Sequence, residues 1–134
     1  MENHPIRRAI EAADRAIGEE NFDALMAFYA EDAVLVVKPG MIATGKAQIR
    51  KAFVAIAEHF NHSLAIGQGE MQIIQGGNTA LVVMETILDV TSPEGVREGV
   101  RECVTRRATY VFREEPGGAW LCVVDNSYGT DLLG

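Results

Sequence analysis

Cysteine is scarce in this 134-residue chain, which contains Cys103 and Cys122 alone. Each lies within an apolar run and outside any spaced framework, which favours two reduced core thiols over a disulfide. Runs of lysine and arginine are also missing, and 12 basic against 19 acidic residues give a net charge of -7. We therefore expect no nucleic acid partner, because binding to phosphates needs clustered positive charge.

Long hydrophobic runs are missing as well. No stretch approaches the ~20 apolar residues that a membrane-spanning helix needs, and the N-terminal residues carry scattered charges where a signal peptide has an apolar segment. Together with reduced cysteines, these absences predict a cytoplasmic protein without a membrane segment. The composition is nevertheless 48% hydrophobic, so residues 1–134 are expected to form one domain with one core.

The first half of the chain shows helical periodicity in three places. A first amphipathic helix ends near Gly18. Asn21 is positioned to cap a second helix of about two turns, whose apolar face includes Tyr29. Residues 33–37 are rich in β-branched side chains and predict a short strand. After a turn, a third helix extends to about Phe60.

The second half changes to the pattern of strands separated by glycine-containing turns. Helices followed by successive antiparallel strands predict an α+β fold with the helices on one face of the sheet. The four predicted strands cover residues 64–74, 80–90, 100–113 and 119–128.

Two of these strands are apolar on both faces. Residues 81–84 and 120–124 lack the alternation of a sheet with one solvated face, so both faces should be covered. The helices can cover one face only. The pattern therefore predicts a homodimer packed through the other face of the sheet.

Three segments together resemble a known family: residues 28–34 (FYAEDAV), Gly45-Lys46 with Ile49 at the start of a helix, and residues 120–129 (WLCVVDNSYG). They are similar to the SnoaL-like and ketosteroid-isomerase-like branch of the nuclear transport factor 2-like superfamily. The resemblance implies a cone-shaped, curved antiparallel sheet on three helices (a cystatin-like roll), with a pocket for a small organic molecule, commonly in a dimer. It implies no single function, because members include isomerases, cyclases, dehydratases, hydrolases and binding domains.

Steroid isomerase chemistry needs a carboxylate base on the first strand, with a tyrosine and a protonated carboxylic acid as oxyanion donors. The resemblance places Val37 or Lys38 at the base, Ala13 or a neighbour at the tyrosine, and Ala108 at the acid. A valine cannot accept a proton. A standard ketosteroid isomerase is therefore not expected.

The strand over residues 100–113 offers the first candidate site residues. Its alternation turns Tyr110 inward, and with it Glu102 and Arg106 near the mouth of the pocket. An inward arginine needs a carboxylate or an anionic ligand. Pairing of Arg106 with Glu102 or Glu85 as a structural ion pair is the alternative.

The last strand offers further polar groups at its end. Asn126, with Tyr128, is expected to hydrogen-bond a ligand, whereas Asp125 faces away unless a bulge near the Asp125-Asn126 step reverses the alternation. The residues predicted to share the inner face are Trp120, Cys122, Val124 and Asn126.

Two hypotheses follow. One is a dimeric domain that binds a small organic molecule without turnover. The other is an enzyme without metal or cofactor, with Glu102 or Asp125 as base and with Arg106 and Tyr110 stabilising an oxyanion. The predicted ligand contacts are Tyr29, Phe53, Tyr110, Trp120, Asn126 and Tyr128.

Overall fold

The computed structural model describes residues 4–90 and 102–126, with Glu102 described by its backbone alone. The predicted α+β class is confirmed, because three helices pack on one curved sheet of six strands. Within the described ranges, no helix is both long and apolar enough to cross a membrane. The elements are α1 (Pro5–Glu19), α2 (Phe22–Met26), β1 (Tyr29–Lys38), β2 (Met41–Thr44), α3 (Gly45–His59), β3 (Ala65–Gly76), β4 (Thr79–Val90), β5 (Glu102–Glu114) and β6 (Trp120–Asn126).

The sheet has the strand order β2-β1-β6-β5-β4-β3 and remains open at β2 and β3. All neighbouring strands are antiparallel except β1 and β6, which run parallel. The sequence predicted a sheet that is antiparallel throughout, and this one pair corrects it. Most of the chain separates β1 from β6, so no hairpin forces them to run in opposite directions.

The boundary between α2 and β1 differs from the prediction. The sequence predicts Tyr29 on the second helix, but α2 ends at Met26 and Tyr29 begins β1. The Cys122 N–H donates a 3.0 Å hydrogen bond to the Phe28 carbonyl oxygen. This bond between distant segments draws the chain into the sheet directly after α2, where local periodicity alone favours another helical turn.

The hydrophobic core lies between the helices and the concave face of the sheet. Ile10 from α1 and Ile49 from α3 are almost fully buried, and each contributes about 1.5–3 kcal/mol to stability through burial. The Phe28 ring contacts the rings of Tyr29 and Phe112 edge to face, at centroid distances of 5.0 and 5.4 Å. These contacts fix the end of β1 on which the site is built.

No described helix covers the convex face of the sheet. One apolar residue from each of five adjacent strands stands on it in register, and three of these side chains are 37–48% exposed. The single chain thus leaves open the face through which the sequence predicts a homodimer. This outer row consists of Ile74, Leu81, Val111, Val124 and Val34.

The two cysteines are free thiols, as the sequence predicts. Cys122 is buried in the core. Cys103 is exposed, so its predicted core position is wrong. The alternation of β5 that turns Tyr110 inward turns Cys103 to the convex face.

Candidate functional site

The helices and the concave face of the sheet enclose a cavity of about 220 Å³. Its walls are mostly apolar, with aromatic rings from Phe28, Phe53 and Phe60. A few polar groups converge on it from α1 and from four strands, which is the usual composition of a small-molecule site. These polar residues are Asp14, Tyr29, Thr86, Arg106, Tyr110 and Asp125.

Asp14 is a carboxyl group on the buried face of α1. It is 6% exposed, and Gln68 Nε2 on β3 donates a 2.6 Å hydrogen bond to its Oδ2. Burial, opposed by this hydrogen bond and reinforced by the charge of Asp125, raises the pKa of Asp14 from 3.8 to about 7. Asp14 is therefore present in both protonation states near neutral pH and is suited to take up or release a proton.

Asp125 is the second buried carboxyl group, at 3% exposure. The Tyr29 hydroxyl on β1 donates a 2.6 Å hydrogen bond to Asp125 Oδ2, a length typical of a strong bond to a carboxylate. Burial and then the charge of Asp125 raise the pKa of Tyr29 well above 10. Tyr29 therefore stays protonated and holds Asp125 in place.

A β-bulge turns Asp125 toward the cavity. Phe112 pairs with Cys122, whereas the adjacent Val111 pairs with Val124, so Val123 is an extra residue in β6. The alternation of β6 reverses at that point, and Cys122 and Asp125 are both buried. The sequence predicts that a bulge near the Asp125-Asn126 step would turn Asp125 inward. The structure has this bulge at Val123.

Tyr110 lies directly opposite Asp125 in the β5–β6 pair. Burial, followed by the charges of Asp125 and Asp14, raises the pKa of Tyr110 well above 10. Its hydroxyl therefore stays protonated and is a hydrogen-bond donor on the cavity wall. Thr86 slightly opposes this pKa shift, but the two hydroxyls do not reach the geometry of a hydrogen bond.

Thr86 and Arg106 are cross-strand partners on β4 and β5, and both line the cavity. The Thr86 hydroxyl is buried and has no hydrogen-bond partner within the described part of the chain. Arg106 is exposed at the mouth and forms no ion pair with any described residue. The alternative of an ion pair with Glu85 is wrong, because Glu85 pairs in register with Arg107 on the opposite sheet face.

A family model for the SnoaL-like domain matches residues 6–123. The chain belongs to the SnoaL-like domain family. No protein of curated function matches its sequence.

Solved structures of other proteins have the same fold as this SnoaL-like domain. A ketosteroid isomerase-like protein from Erwinia carotovora atroseptica is 23% identical with a TM-score of 0.73, covering 93% of each chain. A nuclear transport factor 2-like protein with a cystatin-like fold, from Novosphingobium aromaticivorans, is 19% identical with a TM-score of 0.75, covering 90% of this chain and 77% of the other. A Mycobacterium tuberculosis protein of unknown function is 12% identical with a TM-score of 0.78, covering 96% and 76%. At these identities the likeness establishes the fold and leaves the reaction open.

The structure brings most of the predicted site residues of this SnoaL-like domain together. Those that line the cavity are Tyr29, Phe53, Arg106, Tyr110 and Asp125. The side chain of Glu102 and the whole of Tyr128 lie outside the described residues, so their predicted roles stay predictions.

Two predicted ligand contacts are corrected. Asn126 pairs with Thr109 on the convex side of the sheet, because the bulge reverses the alternation before it. Trp120 begins β6 and does not line the cavity. Its ring lies 6.4 Å from that of His4.

The sequence did not predict two of the polar cavity residues, Asp14 and Thr86. Asp14 follows Ile10 by four residues and precedes Ile17 by three, which places a charged side chain inside the apolar stripe of α1. The spacing therefore marked Asp14 as a buried charged residue.

The resemblance to steroid isomerases places a tyrosine at Ala13 or a neighbour on the first helix, and there the chain has the carboxyl group of Asp14. It places the catalytic base at Val37 or Lys38, and there the cavity wall carries the apolar side chain of Val37. Within the described residues, no three potential donor side chains converge as a metal site.

Proposed function

We propose that this SnoaL-like domain is a cofactor-independent enzyme that transfers a proton within a small, largely apolar organic substrate. The observation that carries the proposal is the pair of buried carboxyl groups, Asp14 and Asp125, on the wall of one cavity. A domain that only binds an apolar molecule gains nothing from two buried acids, since each is costly to bury. Environments that separate the roles of two acids are instead typical of acid–base catalysis.

The roles follow from the contacts of each group. Asp14, with a pKa of about 7, takes a proton from a carbon next to a carbonyl group and returns it elsewhere on the same molecule. Tyr110 donates a hydrogen bond to the oxygen on which negative charge develops. Asp125, fixed by Tyr29, keeps the site polar on one side and raises the pKa of Asp14 through its charge.

Proton exchange in D₂O tests this function without knowledge of the substrate. We expect the protein to accelerate the loss of the methylene proton signal of phenylacetone, measured by NMR. Asp14→Asn should reduce this rate by about 100-fold or more, since the group that carries the proton is removed. Asp23→Asn, at an exposed carboxylate paired with Arg50 on the protein surface, is the matched control and should leave the rate unchanged. Exchange at the original rate in Asp14→Asn would contradict the proposal.

We also propose that two copies of this chain pack through the outer row. The row crosses five strands in register, so a two-fold axis through its centre would set one row against the other. Arg107 and Glu85 stand opposite each other on the same face, four residues along their strands from Val111 and Leu81, and give the face both signs of charge. A second copy of the same face is therefore complementary to it.

A cytoplasmic location is the third element of the proposal. Both cysteines are free, and Cys103 is exposed. An exposed thiol is prone to oxidation and disulfide exchange outside a reducing compartment. Thiol titration of protein prepared from intact cells without reductant should find both thiols free, and an intermolecular disulfide through Cys103 would contradict it.

A further inference from the structure

The cavity contains two polar features that proton transfer does not use. They are the exposed guanidinium of Arg106 and the buried hydroxyl of Thr86, which are neighbours across β4 and β5. Side chains directly opposite each other in an antiparallel pair have Cβ atoms about 5 Å apart. One small chemical group can therefore contact both.

The Thr86 hydroxyl is the stronger indication of a ligand. Thr86 is 9% exposed and lines the cavity, and its Oγ1 has no hydrogen-bond partner among the described residues. Leaving such a group unsatisfied is destabilising, so buried hydroxyl groups normally have a partner. A ligand oxygen inside the cavity would supply it.

Arg106 indicates the charge of that ligand. No described acid pairs with it, although it lies on the wall of a mostly apolar cavity. A planar guanidinium binds a carboxylate through two parallel hydrogen bonds. The single hydroxyl of Thr86 adds one further donor, a set that fits two carboxylate oxygens better than the three oxygens of a phosphate.

Within this pair, Arg106 stands at a strand position distant from Tyr110 and Asp125, whereas the Thr86 hydroxyl is near enough to Tyr110 to affect its pKa. Arg106 precedes Tyr110 by four residues on β5, which is about 13 Å along a strand, and Asp125 lies opposite Tyr110. A ligand carboxylate at Arg106 thus avoids the charge of Asp125, while the rest of the ligand extends into the cavity toward Asp125. An apolar cavity of about 150 Å³ accommodates a benzene ring, so about 220 Å³ accommodates one ring with a short substituent.

We propose that the substrate of this site is a one-ring carboxylic acid, whose carboxylate binds Arg106 and the Thr86 hydroxyl while its ring occupies the apolar cavity. This inference rests on the proposed function, because it takes the cavity as the substrate site. It adds the class of the substrate and the two residues that select it.

Calorimetric titration with three probes tests the proposal: phenylacetate, the isosteric neutral phenylacetamide, and phenyl phosphate. We expect phenylacetate to bind about tenfold or more tightly than phenylacetamide, because a hydrogen bond to a charged group is the stronger one. Arg106→Gln should remove this preference. Thr86→Val, which keeps the shape of the side chain, should weaken phenylacetate binding several-fold.

Arg107→Gln is the matched control. It removes the same charge from the next residue of β5, on the opposite face of the sheet, and should leave the preference for the acid intact. Equal affinity for acid and amide, tighter binding of phenyl phosphate, equal effects of the two arginine variants, or no binding of phenylacetate at millimolar concentration would each overturn the proposal.

The same titration separates this inference from the proposed function. Asp14→Asn should lose proton exchange yet still prefer phenylacetate to phenylacetamide. If the original protein exchanges the phenylacetone protons but does not prefer phenylacetate to phenylacetamide, the substrate class alone is refuted. Exchange that persists in Asp14→Asn while the preference holds would refute the proton-transfer role alone.

Discussion

Gln68 Nε2 on β3 donates a 2.6 Å hydrogen bond to Asp14 Oδ2 on α1, joining two segments that lie far apart in the sequence. Of the contacts that set the pKa of Asp14, this is the one that lowers it; burial and the charge of Asp125 raise it. A hydrogen bond to the charged form of an acid favours ionisation. Gln68 therefore sets how far burial can move the pKa of Asp14.

Gln68→Leu should raise the pKa of Asp14 above about 7. The variant removes the donor and places an apolar side chain against the carboxyl group, and both changes disfavour the charged form. Titration of the Asp14 carboxyl carbon by NMR measures the shift. Gln72→Leu is the control, since Gln72 is exposed on the same strand. A lower pKa in Gln68→Leu, or the same shift in both variants, would contradict this account.

The raised pKa of Asp14 also makes stability depend on pH. The folded protein holds the Asp14 proton up to about pH 7, whereas the unfolded chain releases it near the ordinary value of 3.8. Folding takes up a proton between these values, so the free energy of unfolding falls as pH rises from about 4 to 7. This pKa shift corresponds to a decrease of about 4 kcal/mol in the free energy of unfolding.

Asp14→Asn removes this penalty, because an amide has no proton to lose. We expect the variant to be about as stable as the original protein near pH 4 and more stable by a few kcal/mol at pH 8. Chemical denaturation across this pH range measures the difference. Asp23→Asn, at an exposed site, should give a curve parallel to that of the original protein. A stability gain that does not grow with pH would exclude Asp14 as its source.

Sequence periodicity predicted the parts of the site that depend on local pattern. The alternation along β5 correctly turned Tyr110 and Arg106 to one face, because a strand without irregularities keeps a period of two. The same reasoning failed on β6. A bulge at Val123 lies within a run of apolar residues, and nothing in the composition marks which of them is the extra one.

Asp14 shows a different limit of prediction. Its place on the buried stripe of α1 is readable from the spacing of Ile10 and Ile17. Its chemical character is set by Gln68 and Asp125, which are distant in sequence and meet it only after the sheet forms. A charged residue on an apolar stripe indicates burial; the partners that tune it depend on the register of β3 and β6.

Tyr29→Phe should destabilise the protein by about 1–3 kcal/mol, because it leaves the buried Asp125 carboxylate without its 2.6 Å donor. Tyr110→Phe is the matched comparison. Its hydroxyl does not reach the geometry of a hydrogen bond with Thr86, so the loss of stability should be smaller. We expect Tyr110→Phe instead to slow proton exchange by about 100-fold, the usual effect of removing one oxyanion donor.

Denaturant unfolding and the phenylacetone exchange assay together check this pair. Equal losses of stability in the two variants would mean that the hydrogen bond of Tyr29 contributes nothing specific. An unchanged exchange rate in Tyr110→Phe would remove Tyr110 from the proposed reaction and leave the role of Asp14 untouched.

Leu81→Asp tests the proposed dimer. Leu81 is 40% exposed at an inner position of the outer row, next to Ile74 and Val111. A carboxylate there would be buried against the apolar outer row of the second copy in a dimer, which is costly for an unpaired charge. We expect Leu81→Asp to be monomeric by light scattering at concentrations where the original protein is dimeric. Ala55→Asp adds the same charge on the exposed side of α3 and should leave the dimer intact. A monomeric original protein, or a dimer that survives Leu81→Asp, would contradict the proposed contact through the outer row.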